Sequence, residues 1–212
     1  MSPGGTVFLV DDDPSVLRAL TRLLRASGRE VRAFASQQEF LGQHDPAAPG
    51  CLVLDVAMPE RNGLDLQQDL ADNGAERAVV FITGQGDVPT SVRAMKAGAV
   101  DFLTKPFNDS QLLAAVQAAI DRDARMRRTR AERGEVERKL ATLTLRERQV
   151  LEHVVAGQLN KHIAADLGTV EKTIKVHRGR IMHKMGAASL VELIRMTDLA
   201  GVRPAPTPAS EV

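Results

Sequence analysis

Residues 78–107 read AVVFITGQGDVPTSVRAMKAGAVDFLTKPF, a short apolar run, an amphipathic stretch and a second short apolar run. The first run, AVVFIT, is too short for a buried helix and lacks strict alternation, which suits a strand covered on both faces. Pro89 sits near the start of the amphipathic stretch and Gly98 follows its end, the usual punctuation of a helix. Strand, helix and strand in that order make a parallel crossover unit. The same alternation continues upstream: TVFLV, VRAF and CLVLD are strand-like, and helical patterns occupy Pro14–Ser27, Ser36–Gly42 and Leu64–Asn73. With VDFL as the last strand, a helix over Pro89–Ala97 and another from Asp109 to at least Ile120, the first half is predicted to be α/β. The expected architecture is a doubly wound, five-stranded parallel sheet in the order 2-1-3-4-5.

The chain has 212 residues, enough for one large domain or two small ones, and 43% hydrophobic residues supply a core. No apolar run approaches the roughly 20 residues that span a bilayer and no secretory signal is visible, so no membrane partner and a cytoplasmic location are expected. The single cysteine, Cys51, excludes an internal disulfide or a zinc cluster and is expected as a small buried hydrophobe. The five histidines lack close ligand spacing. Six Phe with no Trp or Tyr disfavour a base-stacking surface for single strands, but leave duplex binding open. The net charge of +1 hides an asymmetry: residues 1–120 carry 10 Lys+Arg against 15 Asp+Glu (−5), and residues 121–212 carry 18 against 12 (+6). A basic half suggests a polyanionic partner, although a solvated helix surface accounts for much of such charge.

Residues 121–141, DRDARMRRTRAERGEVERKLA, hold eight Lys+Arg and five acids among few apolar positions. They are expected to form a solvated helical connector extending the fifth helix, weakened at Gly134; Val136, Leu140 and Leu143 give only a short apolar stripe, with a dimer-forming connector as the alternative. From Thr144 the pattern is helical: Arg146–Ala156, Lys161–Leu167, Val170–Met185 and Ser189–Ala200, broken at Gly157, Gly168 and Gly186. Domain limits are set at 5–122, 123–141 for the connector and 142–201, with Pro204, Pro206 and Pro208 marking a disordered tail over 202–212.

Asp11, Asp12 and Asp13 follow the first strand, Asp55 ends the third, Thr83 ends the fourth and Lys105 follows the fifth. In the predicted order the first and third strands are neighbours at the switch point, where open α/β sheets bind ligands. Carboxylates gathered there repel one another and need a cation, and an oxygen-only set suits Mg2+ better than zinc. With Mg2+ and Lys105 offsetting charge, Asp55, the central carboxylate, is a candidate phosphoryl nucleophile. The alternative makes DDDP a helix cap, which is preferred for Asp13, and Asp55 a loop residue.

VDDD (10–13), LDVAMPERNGLDL (54–66) and residues 81–107, in this order, resemble the receiver domain of two-component response regulators. The GDVP stretch and the C-terminal half are most similar to the FixJ/StyR/TodT branch. The resemblance implies that Asp55 is the phosphoacceptor, that Asp11 and Asp12 hold Mg2+ together with Asp55 and the carbonyl of Ala57, that Thr83 and Lys105 bind phosphoryl oxygens, and that the Lys105–Pro106 peptide is cis. Phe102 matches the family's aromatic switch, often a Tyr; simple core packing is the other reading. Ala57 has no side chain to orient an attacking water, whereas Gln85 has one, so a phosphoryl lifetime of minutes or longer is expected.

In the second half Thr169 is placed to cap the helix after Gly168. With Ile174 at the origin and 100° per residue, Val170, Ile181 and Met185 fall within about 40° of it and define a core face, while Val176 lies about 200° away. Val176 is therefore expected outside, among Lys172, Lys175, Gly179 and His183, where a major groove suits it: Lys meets guanine or phosphate and a Val methyl packs on thymine. A tolerated exposed Val on a solvated face is the alternative. LTLRERQVLEHVVAGQLNKHIAADLG (143–168) and TIKVHRGRIMHKM (173–185) resemble the LuxR-type helix-turn-helix. That resemblance assigns Lys175 and Val176 to bases, and Lys161, Lys172, His177 and Arg178 chiefly to phosphates; by its angle His177 reads as a structural histidine. Gly179 departs from the larger polar residue of some relatives.

Together the two halves read as a phosphorylation-controlled transcription regulator, with a sensor histidine kinase, a double-stranded DNA operator, RNA polymerase and, once phosphorylated, a second copy of the chain as partners implied by the family. It is expected to hydrolyse its own phosphoryl group slowly without acting as a turnover enzyme. A small-molecule phosphotransferase and a constitutive DNA-binding protein are the rival readings.

Overall fold

The computed structural model describes residues 5–59, 62–84 and 88–206. Five strands, β1 (Thr6–Val10), β2 (Val31–Phe34), β3 (Gly50–Asp55), β4 (Ala78–Thr83) and β5 (Asp101–Thr104), pair in parallel in the order β2-β1-β3-β4-β5. The expected α/β class, strand order and helical second half are thus all found. Between the strands run α1 (Pro14–Ala26), α2 (Gln37–Gln43), α3 (Gly63–Asp72) and α4 (Val88–Lys96), followed by α5 (Asp109–Ala141).

Successive strand side chains point to opposite faces, and here both faces are buried. Val7, Leu9, Cys51, Val53, Val80 and Ile82 pack against Leu20 and Leu24 of α1 and Leu112, Val116 and Ala119 of α5. Phe8, Val10, Leu52, Leu54, Val79 and Phe81 meet α2, α3 and α4 through Phe40, Leu66, Leu70 and Ala94. That double covering explains why the strands read as continuous apolar runs. Deleting one fully buried ring, such as Phe81, costs about 3–5 kcal/mol in such an interior.

The register pairs Val10 with Leu54 and Asp55 with Ile82, so the carboxyl ends of β1, β3 and β4 lie level. α1 begins where it does because Pro14 is its first residue and Asp13 caps it, accepting from Ser15 N at 2.7 Å. The preferred reading of Asp13 as a cap is therefore the observed one.

Contacts divide the chain into two compact units, 1–127 and 128–212. Residues 123–141 are helical, but they are not a solvated connector throughout. Asp123 is buried, and its Oδ2 accepts from Gly50 N at 2.9 Å and from Arg127 Nε at 2.7 Å. Arg127 also donates to the carbonyls of Ala47 and Ala48, beside Arg77, which caps the Phe8 ring at 4.3 Å. Charged side chains here satisfy the buried Gly50 N–H and tie down the turn before it, a use that a count of charges reads as solvation. α5 passes Gly134 without a break.

In the second unit α6 (Leu145–Val155), α7 (Asn160–Asp166), α8 (Glu171–Met185) and α9 (Leu190–Leu199) enclose Val150, Leu151, Ile163, Ile174, Ile181, Met185 and Leu193, with Val136 of α5 and Leu143 added to that core. Thr144 caps α6 and pairs reciprocally with Glu147, a complete capping box. Residues 202–206, placed by the sequence in a disordered tail, are held: Val202 N bonds to Thr197 O at 3.0 Å, Ala205 N to Glu152 O at 2.9 Å, and Ala205 is buried. Proline spacing alone does not reveal those two backbone bonds. Residues 207–212 lie outside the described residues.

Candidate phosphoacceptor site and nucleic-acid face

At the level carboxyl ends of the sheet, Lys105 Nζ donates to Asp11 Oδ2 at 2.9 Å and to Asp55 Oδ1 at 3.0 Å. The neighbouring positions of β1 and β3 bring the two carboxylates to one ammonium although they lie 44 positions apart in the sequence. Asp11 and Asp55 are 1% and 5% exposed, so this charge pairing takes place largely out of water. Asp55 Oδ2 accepts from Ala57 N at 2.8 Å and Asp11 Oδ1 from Asp13 N at 2.9 Å. The Lys105–Pro106 peptide is cis, and Lys105 N bonds to Thr83 O at 2.7 Å.

Burial pushes the Asp55 carboxyl above its ordinary range, against the pull of Lys105. Burial also works against the Lys105 ammonium, but its bonds to Asp11 and Asp55 outweigh it and raise that group. Thr83 is fully buried at the end of β4. Phe102 is half-buried against the second core face, its ring 6.3 Å from that of Phe81. Gln85 lies outside the described residues.

Of the carboxylates expected to hold Mg2+, the structure brings Asp11 and Asp55 together and leaves Asp12 exposed at the rim. Among the described residues no group of three His, Cys, Asp or Glu stands at metal-holding spacing. The donor chemistry nevertheless fits: Mg2+ is held by hard oxygens, commonly one or two carboxylates with the remaining positions left to water. Gly63, which the sequence reading did not single out, is part of this site. A Cβ there would sit 2.5 Å from Asp55 O, so only glycine lets α3 start this close to the end of β3. A glycine beside a turn gives no sequence signal of that contact.

The second surface is α8. Ile174, Ile181 and Met185 are buried, and the exposed residues Lys172, Lys175, Val176, Gly179, Arg180 and His183 recur every three or four positions along one face. Val176 is 48% exposed, as its angle requires. Lys161 is exposed on α7, which precedes α8 in the helix-turn-helix. His177 and Arg178 are half-buried: Arg178 Nη1 donates to Asn160 Oδ1 at 3.1 Å, and His177 Nδ1 is buried with no hydrogen-bond partner among the described residues.

Two expectations fail here. Val170 is 64% exposed rather than part of the core face, because it is the N-cap in extended conformation and the 100° step begins only after it. Thr169 accordingly does not cap α8, and Val170 supplies no side-chain cap bond.

A doubly wound sheet with an ammonium-bridged aspartate pair, followed by a helix-turn-helix with a cationic outer face, defines a receiver coupled to a DNA-binding unit. Residues 7–117 match the family profile of the response regulator receiver domain, and residues 141–197 that of bacterial regulatory proteins of the luxR family. The chain belongs to the two-component response regulators with a LuxR-type DNA-binding domain, in the FixJ/StyR/TodT branch, and is a transcriptional response regulator. It is 49% identical to the transcriptional regulatory protein FixJ of Azorhizobium caulinodans over 94% of each chain. It is 44% identical to the response regulator protein TodT of Pseudomonas putida strain F1, over 91% of this chain and 85% of that one. Among solved structures, that titled "Low Resolution Structure of Response Regulator StyR" superposes with a TM-score of 0.76 at 44% identity, covering 91% of this chain and 98% of that one.

Proposed function

We propose that Asp55 accepts a phosphoryl group from a partner sensor histidine kinase, and that the phosphorylated chain pairs with a second copy and binds a double-stranded DNA operator. The Lys105 ammonium held between Asp11 and Asp55 is the observation that carries this reading. An Asp55 oxygen attacks the phosphorus of a phosphohistidine, the P–N bond breaks, and the departing imidazole keeps the electron pair and takes up a proton. Lys105 and the Thr83 hydroxyl then meet phosphoryl oxygens, and withdrawal of Thr83 makes room for Phe102 to turn inward. Asp11, Asp12, Asp55 and the Ala57 carbonyl would hold Mg2+, which supplies neutralisation of the phosphoryl charge.

Only three residues separate the end of β1 from the start of α1, which leaves little wall for a small substrate. This supports stoichiometric modification of the chain, with slow hydrolysis, over turnover of a small substrate. Val88, Val92 and Met95 leave an apolar stripe exposed on α4, which supports pairing through the α4-β5-α5 face. Two tethered helix-turn-helix units bind adjacent half-sites more tightly than one, because the second contact becomes intramolecular. No helix among the described residues is long and apolar enough to cross a membrane. The site of action in this reading is the cytoplasm, with RNA polymerase as the downstream partner.

Intact-mass measurement with a phosphohistidine donor and Mg2+ tests the first step, and duplex titration tests the second. Wild type should gain one phosphoryl mass and at least about tenfold in operator affinity, and Asp55→Asn should gain neither. Equal affinities with and without donor would remove the switch and leave a constitutive DNA-binding protein.

A further inference from the structure

The Lys and Arg side chains of α8 fall into three sets, of which half-buried Arg178, bonded to Asn160 of α7, is one. Lys172, Lys175 and Arg180 are exposed beside Val176. Lys184 instead turns back into its own unit, its Nζ donating to Thr142 O at 3.0 Å and to Glu147 Oε2 at 2.6 Å. The Glu147 side chain is only 3% exposed, and that of Lys184 32%. The same Glu147 oxygen accepts from Thr144 N at 2.8 Å, as part of the cap of α6. One ammonium thus joins the last turn of α8 to the segment between α5 and α6 and to the first turn of α6.

We propose that Lys184, acting through Glu147, is a positioning residue for duplex reading: the pair sets the angle of α8 in its unit, and Lys184 touches no phosphate. The inference rests on the DNA-binding role of α8. The apolar contacts of Ile174, Ile181 and Met185 are non-directional and tolerate small rotations. A short charge-assisted bond fixes direction as well as distance. Lys184 lies nine residues, roughly 13 Å of helix axis, from Lys175, so a tilt of about 10° pivoting there carries Lys175 about 2 Å sideways. That shift is comparable to the tolerance of a hydrogen bond to a base edge. Compared with a well-packed apolar pair of the same volume a buried ion pair gains little, although breaking it once formed is costly, so a role in fixing geometry accounts for charges being used here at all.

The test uses the full phosphorylated chain, a duplex selected by the wild type from a randomised pool, and a scrambled duplex of the same composition. Glu147→Gln is the informative variant, because Gln also serves at this position of a capping box and only the ion pair is lost. Glu147→Gln and Lys184→Met should each lower the selected-to-scrambled affinity ratio about tenfold. The salt dependence on the scrambled duplex should not change, and the double variant should be no worse than either single one.

A slope on the scrambled duplex shallower by about 0.9 for Lys184→Met, with Glu147→Gln unaffected, would make Lys184 a phosphate contact and overturn the proposal. An unchanged ratio in both folded variants would overturn it too, by assigning the pair to the fold alone. Failure of both single variants to fold would overturn it on the same ground. A wild type that selects no duplex would instead defeat the DNA-binding role on which the inference rests, a failure visible before any variant is made.

Discussion

At Glu147 the carboxyl is held down at about 2, first by the Lys184 ammonium and next by the Thr144 N–H, from an ordinary value of 4.5. A group whose folded value is depressed stabilises the fold above its unfolded value and loses that contribution as pH falls through the folded one. The stability difference between wild type and Glu147→Gln should therefore be full at neutral pH and shrink between about pH 4.5 and 2. Urea titrations across that range check it, and a pH-independent difference would show that the charge is not what stabilises. The residues differ in how far their sequence announces them. Asp11, Asp55 and Lys105 are legible because each lies at a strand end, and strand order brings those ends together. Val176 is legible from helical arithmetic, whereas Val170 is not, since the arithmetic is silent about where a helix begins. Cys51 reads correctly as a buried hydrophobe, and burial pushes its thiol up to about 12. Lys184 is invisible in a basic run, where a cation turned inward looks the same as one turned outward.

Among the elements, the five strands are legible because short apolar runs without alternation, set between amphipathic stretches, have few other uses. α5 is harder. Its continuity from Asp109 to Ala141 follows from strong helix formers, but its acids and bases hide which turns are packed. Gly134 lies inside this helix, and a Cβ built there meets nothing within 4 Å. Replacing it with Ala removes backbone freedom from the unfolded chain without crowding the folded one. Gly134→Ala should accordingly stabilise by about 0.5–1 kcal/mol. A denaturation midpoint that stays put or falls would mean that the glycine has a role in bending or pairing the helix.

For the whole molecule, the split of charge between −5 and +6 halves announces two functions in one chain, and the two compact units follow that division. The border between them is less legible. The receiver profile stops at residue 117, yet Asp123 and Arg127 reach back to hold Gly50 and the turn before it. Anyone excising the receiver gene at the profile's edge would therefore cut through the fastening that closes the bottom of the sheet. A fragment ending after Ile120 strands the Gly50 N–H without its acceptor, an omission worth at least about 1 kcal/mol. One ending after Arg127 keeps it. Urea midpoints of the two fragments should differ in that direction, and the shorter piece, convenient as it looks, would understate how firmly the native receiver is built.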